Sequence, residues 1–133
     1  MKQIKATLEL GIDGYGVSFA EIPSVFSFGK TVETAKSEAK AALELYKKIL
    51  LEKNQSLPDI LDGEYEIDFE FDVLALLKYF DGTVTKTALS RVSGINATQL
   101  THYSSGAKKP RREQRNKIIS GLHAIGRDLL AVS

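Results

Sequence analysis

From Glu64 to Phe71 the chain alternates without a break: Tyr65, Ile67, Phe69 and Phe71 are apolar, and Glu64, Glu66, Asp68 and Glu70 between them are acidic. A helix repeats its faces every 3.6 residues and a strand every two, so this segment predicts a strand with one apolar and one charged face. The apolar face needs a covering layer. A fold for this chain must therefore hold a sheet with something packed against one side of it.

The preceding residues supply the other parts. Ile4, Ala6, Leu8 and Leu10 alternate with Lys5, Thr7 and Glu9, which predicts a first strand. Asp13-Gly14 is the pair that a two-residue type I′ hairpin turn prefers, because both central positions need positive φ. Tyr15, Val17 and Phe19 mark a second strand, Glu21 to Ser24 break it, and Phe26 and Phe28 mark a third that ends at Gly29. Thr31 is placed to cap a helix, with Glu33 in its first turn to complement the dipole. Ala35, Ala39, Ala42, Leu43, Tyr46 and Ile49 then recur at helical spacing, so a helix is expected from Val32 to about Lys53. Beyond Asp72, itself a good N-cap, every segment reads as helical. The expectation is an α+β chain: a βββαβ domain over residues 1–72, then an all-α domain over 73–133, with no Gly/Ser linker between them.

Charge divides at nearly the same place. Residues 1–82 hold 9 Lys and Arg against 15 Asp and Glu, whereas residues 83–133 hold 9 against 2. The overall charge of +1 conceals this. A basic half is suited to a polyanion, and an acidic half to something else. There is no cysteine, which excludes a disulfide framework and thiolate metal sites. No apolar run approaches the roughly 18 residues of a membrane span, and Met1-Lys2-Gln3 leads straight into the first strand pattern. A soluble, cytoplasmic protein is expected.

The basic half carries a spacing with a specific use. Within Thr85–Pro110, Ser90, Gly94, Ile95 and Leu100 provide a small residue, a turn residue tolerant of positive φ, and two buried aliphatics. These are the needs of a helix-turn-helix. Leu89, Val92, Leu100 and Tyr103 are its expected core. Asn96 is positioned to cap the second helix, which sets Ala97, Thr98, Gln99, Thr101 and His102 in the two turns that meet base edges in a major groove. Gln99 is the candidate base reader, since its amide pairs bidentately with adenine. Thr98 and Thr101 suit bases or phosphates. Lys86, Lys108, Lys109, Arg111 and Arg112 suit phosphates, which fix register without carrying sequence information. A last helix follows Pro110, with Ile118, Leu122, Ile125 and Leu129 on one stripe. An ordinary helical hairpin with a glycine C-cap is the plainer reading of the same spacing. One short recognition helix covers only a half-site, so a homodimer or higher oligomer on a palindromic operator in double-stranded DNA is expected.

Catalysis has little to stand on. Glu9, Asp13 and Glu21 come from a strand, a turn and a loop, and no other acid of the first three strands matches them. His102 and His123 fall on different helices without an adjacent ligand. No metal, cofactor or catalytic residue is expected. The acidic row has two readings. Glu64, Glu66, Asp68 and Glu70 would relieve their mutual repulsion against a basic partner, or they serve as a solvated face that discourages edge pairing.

These residues carry a family resemblance. Thr85 to Val132 resembles a lambda-repressor/Xre-type helix-turn-helix, down to the exit Gly106-Ala107-Lys108-Lys109-Pro110. Asp13 to Pro58 resembles the N-terminal domain of HicB antitoxins, with its DG hairpin, its Phe and Pro, and a Gly leading into an Ala-rich helix. Where that family usually has Phe-Pro-x-Leu-Pro-Gly, this chain has Phe19-Ala20-Glu21-Ile22-Pro23-Ser24. The resemblance implies a partial ribonuclease-H-like N-terminal domain, and an antitoxin that binds a HicA-like messenger-RNA endonuclease and represses their shared operon. It turns the acidic row toward a basic toxin. Competing readings are a stand-alone helix-turn-helix regulator with a ligand-sensing or dimerising N-terminal domain, and a nuclease.

Overall fold

A computed structural model describes residues 1–133. The chain is mixed α+β and divides by its contacts into two compact units, Met1–Ala75 and Leu76–Ser133. The first unit holds β1 (Lys2–Leu10), β2 (Tyr15–Phe19), β3 (Phe26–Gly29), α1 (Val32–Glu52) and β4 (Tyr65–Phe71). A short 3-10 turn at Asp59–Leu61 precedes β4. Helix α2 (Val73–Tyr79) begins in this unit, and its Asp72 cap accepts from the Ala75 N–H at 2.7 Å. The second unit holds α3 (Lys86–Ser93), α4 (Ala97–Ser105) and α5 (Arg112–Leu130).

The four strands lie in the order β3-β2-β1-β4. β1 and β2 are antiparallel, as are β2 and β3, whereas β4 runs parallel to β1 at the opposite edge. Ile4, Ala6, Leu8, Val17 and Phe19 point to one side and are fully buried there with Ala35, Ala39 and Leu43 of α1. Removing each large side chain of this set from water contributes about 1.5–3 kcal/mol. Thr31 caps α1 through its side chain, which accepts from the Thr34 N–H at 3.1 Å. At its far end α1 outlasts the core, and Ile49, expected on the buried stripe, is 39% exposed.

One feature departs from the sequence reading, the β1–β2 connection. Leu10 pairs with Tyr15, so the link is a four-residue loop, Gly11–Gly14, closed by a 2.7 Å bond from the Gly11 N–H to the Gly14 carbonyl. Asp13 does not have positive φ, and no type I′ turn forms at Asp13-Gly14. A two-residue shift of register returns every side chain to its own face, so the alternation alone could not distinguish the two connections.

Strand β3 lies where the sequence places it, and its phenylalanines face away from the helix. Phe26 is 62% exposed and Phe28 45%, while Ser27 and Gly29 point inward. The cause is the closeness of α1. A Cβ on Gly29 would lie 2.7 Å from the Ala35 Cα, so β3 approaches the helix with small residues only.

Leu89, Ile95, Leu100, Tyr103 and Ile118 form the buried interior of the second unit. Its close approach is Gly121 of α5 against Val92 and Ser93 of α3; a Cβ there would sit 3.0 Å from a Val92 methyl. Ser90, expected to be the small residue of a helix crossing, is half-buried. Leu129, the end of the expected α5 stripe, is 67% exposed.

Candidate nucleic-acid and partner surfaces

The connection from α3 to α4 is built from local signals. Thr85 caps α3 by accepting from the Ala88 N–H at 3.0 Å. Gly94 ends it in the left-handed conformation at φ 77, where a side chain would be strained. Ser93 accepts from the Ile95 N–H, and Asn96 caps α4 by accepting from the Gln99 N–H at 2.8 Å. The Asn96 side-chain oxygen is therefore committed to the helix end, while its amide N–H groups are not used by the cap.

Ala97, Thr98 and Thr101 lie exposed on the first two turns of α4, and Gln99 and His102 are half-buried. The Gln99 side-chain amide donates to the Tyr103 hydroxyl at 2.9 Å, which leaves its carbonyl and one N–H to spare. Thr101 donates its hydroxyl to the Ala97 carbonyl at 3.0 Å. While that bond stands it offers only lone pairs, so it suits a base amine and not a phosphate. The His102 Nδ1 is buried without a hydrogen-bond partner.

Lys108, Lys109 and Arg111 converge with Gln99, Tyr103 and Gln114 around an open recess of about 420 Å³. No carboxylate lines it. Arg111 stands at the N-cap of α5 with no side-chain capping bond, and Arg112 is exposed as the first residue of that helix. Lys86 is exposed at the start of α3 and lines a different recess, with Asp81 and Ser104. The structure thus gathers three of the five proposed phosphate ligands around the candidate base reader and leaves Lys86 and Arg112 outside that group. Gln114, whose Oε1 is buried and unpartnered, joins the recess without having been singled out in the sequence. It comes from α5, and no spacing on α4 points to it.

The acidic row behaves less uniformly than its pattern suggests. Glu66, Asp68 and Glu70 lie on the outer face of β4 and are exposed. The adjacent β1 tempers them: Gln3 donates to Glu66 at 2.7 Å, and Lys5 lies 3.9 Å from Asp68. Glu64 precedes the strand and lines a recess of about 440 Å³ with Lys40, Lys47 and Tyr65. There the Tyr65 hydroxyl donates to Glu44 at 2.6 Å. Burial, then the bond to Glu44 and its charge, push the Tyr65 pKa up to about 12. Lys36 and Lys47 of α1 lie over the rings of Phe69 and Tyr65, at 5.4 and 5.2 Å from the centroids. Their stems cover the half-buried inner side of this edge strand.

The acids considered for nuclease chemistry do not assemble. Glu9 accepts from the Ser18 hydroxyl at 2.9 Å, and no three His, Asp or Glu side chains are grouped to hold a metal ion. No helix is long and apolar enough to cross a membrane.

Comparison with known families bears on these surfaces. Residues 6–98 match the family model of the HicB-like antitoxins of bacterial toxin-antitoxin systems. The chain belongs to this family. The match spans the sheet from Ala6, helices α1 to α3, and the first two residues of α4. No curated protein matches the chain. Membership of the HicB-like family implies an antitoxin role and a toxin partner, and points to a regulator that is not an enzyme. Most of α4 and all of α5 lie past the matched residues.

Proposed function

We propose that this chain is an antitoxin that binds and neutralises a HicA-like messenger-RNA endonuclease and represses the operon encoding both by binding its DNA. In this reading residues 1–72 are a partial ribonuclease-H-like domain that meets the toxin. Residues 73–133 are a lambda-repressor/Xre-like helix-turn-helix domain. The chain acts as a homodimer or higher oligomer in the cytoplasm, where operator and messenger both lie.

One observation carries the DNA-binding part: Ala97, Thr98 and Thr101 are exposed on the first turns of α4, beside a recess that collects Lys108, Lys109 and Arg111 and no acid. A helix that offers polar side chains at its N-terminal end, with cations after its C-terminal end, has what a recognition helix needs for bases and for flanking phosphates. The toxin-binding part is supported by family membership and by the exposed carboxylates of β4. An RNA-cleaving enzyme must carry a basic surface for its substrate, and those carboxylates complement it.

Footprinting on the DNA upstream of the chain's own gene tests the repressor. Two protected half-sites, related by a dyad and spaced by whole helical turns, are expected. A single unpaired half-site, or no protection, would overturn it.

A further inference from the structure

The outer face of the sheet carries more than acid. Phe26 and Phe28 stand on it, 62% and 45% exposed, on edge strand β3. Both rings lie on glycine. A Cβ at Gly16 would come 2.8 Å from the Phe26 Cζ, and one at Gly14 would come 2.9 Å from the Phe28 Cζ. The absence of side chains beneath lets the rings lie down against the backbone. They form a supported apolar surface where two loose side chains would otherwise stand. Large exposed aromatics on a monomer's surface mark interaction sites, and aromatic anchors dominate protein interfaces.

The strand register ties these rings to the carboxylates. Phe26 is opposite Ser18, Ser18 opposite Thr7, and Thr7 opposite Glu70. Phe28 is opposite Gly16, and Gly16 opposite Glu9. At about 4.8 Å between strands, roughly 14 Å separates the Phe26 row position from that of Glu70. The same face therefore runs from an aromatic platform at one edge to Glu66, Asp68 and Glu70 at the other, with Lys5 paired to Asp68.

We infer that this outer face is the docking surface for a basic partner protein, with Phe26 and Phe28 as its apolar anchors and the carboxylates of β4 as the charges that orient the partner. The inference rests on the antitoxin reading and gives that partner a place. Charge complementarity selects the occupant: a nucleic acid would be repelled by this face, and a second copy would set acid against acid. Aromatic anchors hold the complex and the carboxylates speed its formation, so the two groups affect different rates.

The test uses the full chain and the purified toxin encoded beside it. The double variant Phe26→Ala, Phe28→Ala should keep its circular dichroism spectrum and bind toxin at least about 30-fold more weakly, mainly through faster dissociation. Wild-type binding with an unchanged affinity in the variant would overturn the anchors and leave the antitoxin reading standing. Absence of toxin binding by the wild type would overturn both. A variant that dissociates into smaller oligomers on sedimentation while still binding toxin would show that a second copy covers the face, against the inference. Hydroxyl-radical footprinting of the wild-type complex needs no variant. Protection of both phenylalanines is expected, and equal labelling of free and bound protein would overturn the proposal.

Discussion

Across one turn of α4, Gln99 donates its side-chain amide to the hydroxyl of Tyr103, 2.9 Å away. Tyr103 is 3% exposed, so its ring is held by the core and its hydroxyl is a fixed point for the glutamine. Gln99→Ala is expected to cost about 1–3 kcal/mol on the specific operator and little on random DNA. Tyr103→Phe keeps the ring and removes only the tether, so it should cost about 1 kcal/mol of the same specificity with little change in melting temperature. Titrations of each variant against operator and random duplexes separate the outcomes. Equal losses on both duplexes would show that Gln99 reads no base.

Lys108, Lys109, Arg111 and Arg112 should act on all DNA alike. Alanine at any one that contacts a phosphate should weaken specific and random binding together and reduce the salt slope by about one. Lys108, Lys109 and Arg111 share the recess, so their slopes should change more than that of Arg112. Binding measured at several salt concentrations decides it, and four unchanged slopes would move the DNA-facing surface elsewhere.

Replacing Glu66, Asp68 and Glu70 together by lysine should slow association with the toxin at low salt and have less effect at high salt. The fold should survive, because Ile67 and Phe69 on the opposite face are untouched and the exposed Lys5–Asp68 pair contributes little stability. Stopped-flow association at two salt concentrations is the measurement. A rate indifferent to both charge and salt would reduce this row to a solvated edge.

Two glycines should respond in opposite directions to alanine. Gly29→Ala forces a methyl against the backbone of Thr34 and Ala35 and should destabilise by about 1–3 kcal/mol. Gly126 lies within α5 with open space at its Cβ position, so Gly126→Ala should stabilise by about 0.5–1 kcal/mol. Urea denaturation of the two variants tests both signs.

Tyr65 supplies a pH signature. Its folded pKa of about 12 stands above the ordinary 10.0, so the neutral phenol is the form the fold favours. The stability this group contributes is complete below pH 10 and is lost as pH rises toward 12. Glu44→Gln removes the neighbouring charge and should move the Tyr65 titration back toward 10, leaving the part due to burial. Following the Tyr65 ring resonances by NMR through the alkaline range checks the shift. A midpoint unmoved by Glu44→Gln would leave burial as the whole cause.

What the amino-acid order determined by itself is whatever depends on near neighbours. The alternation from Tyr65 to Phe71 specifies a strand because side-chain direction reverses at each residue. Thr31, Asp72, Thr85 and Asn96 start helices because a side-chain oxygen reaches the N–H three residues on. Gly94 ends α3 because it takes positive φ without strain. Tertiary structure decided what depends on distant approach. β4 lies parallel to β1 at the sheet edge, a pairing across some sixty residues that no local pattern encodes. The alternation left open whether a two-residue turn or the loop Gly11–Gly14 joins β1 to β2, because both registers keep the same residues inside. Phe26 and Phe28 face outward, against the rule that apolar side chains go in, because α1 packs too closely on Gly29 to admit them. Gln114 joins Gln99 only because the first turn of α5 comes to the recess that α4 lines. Local periodicity says which side chains share a face, and only the packing of distant segments says which face has room.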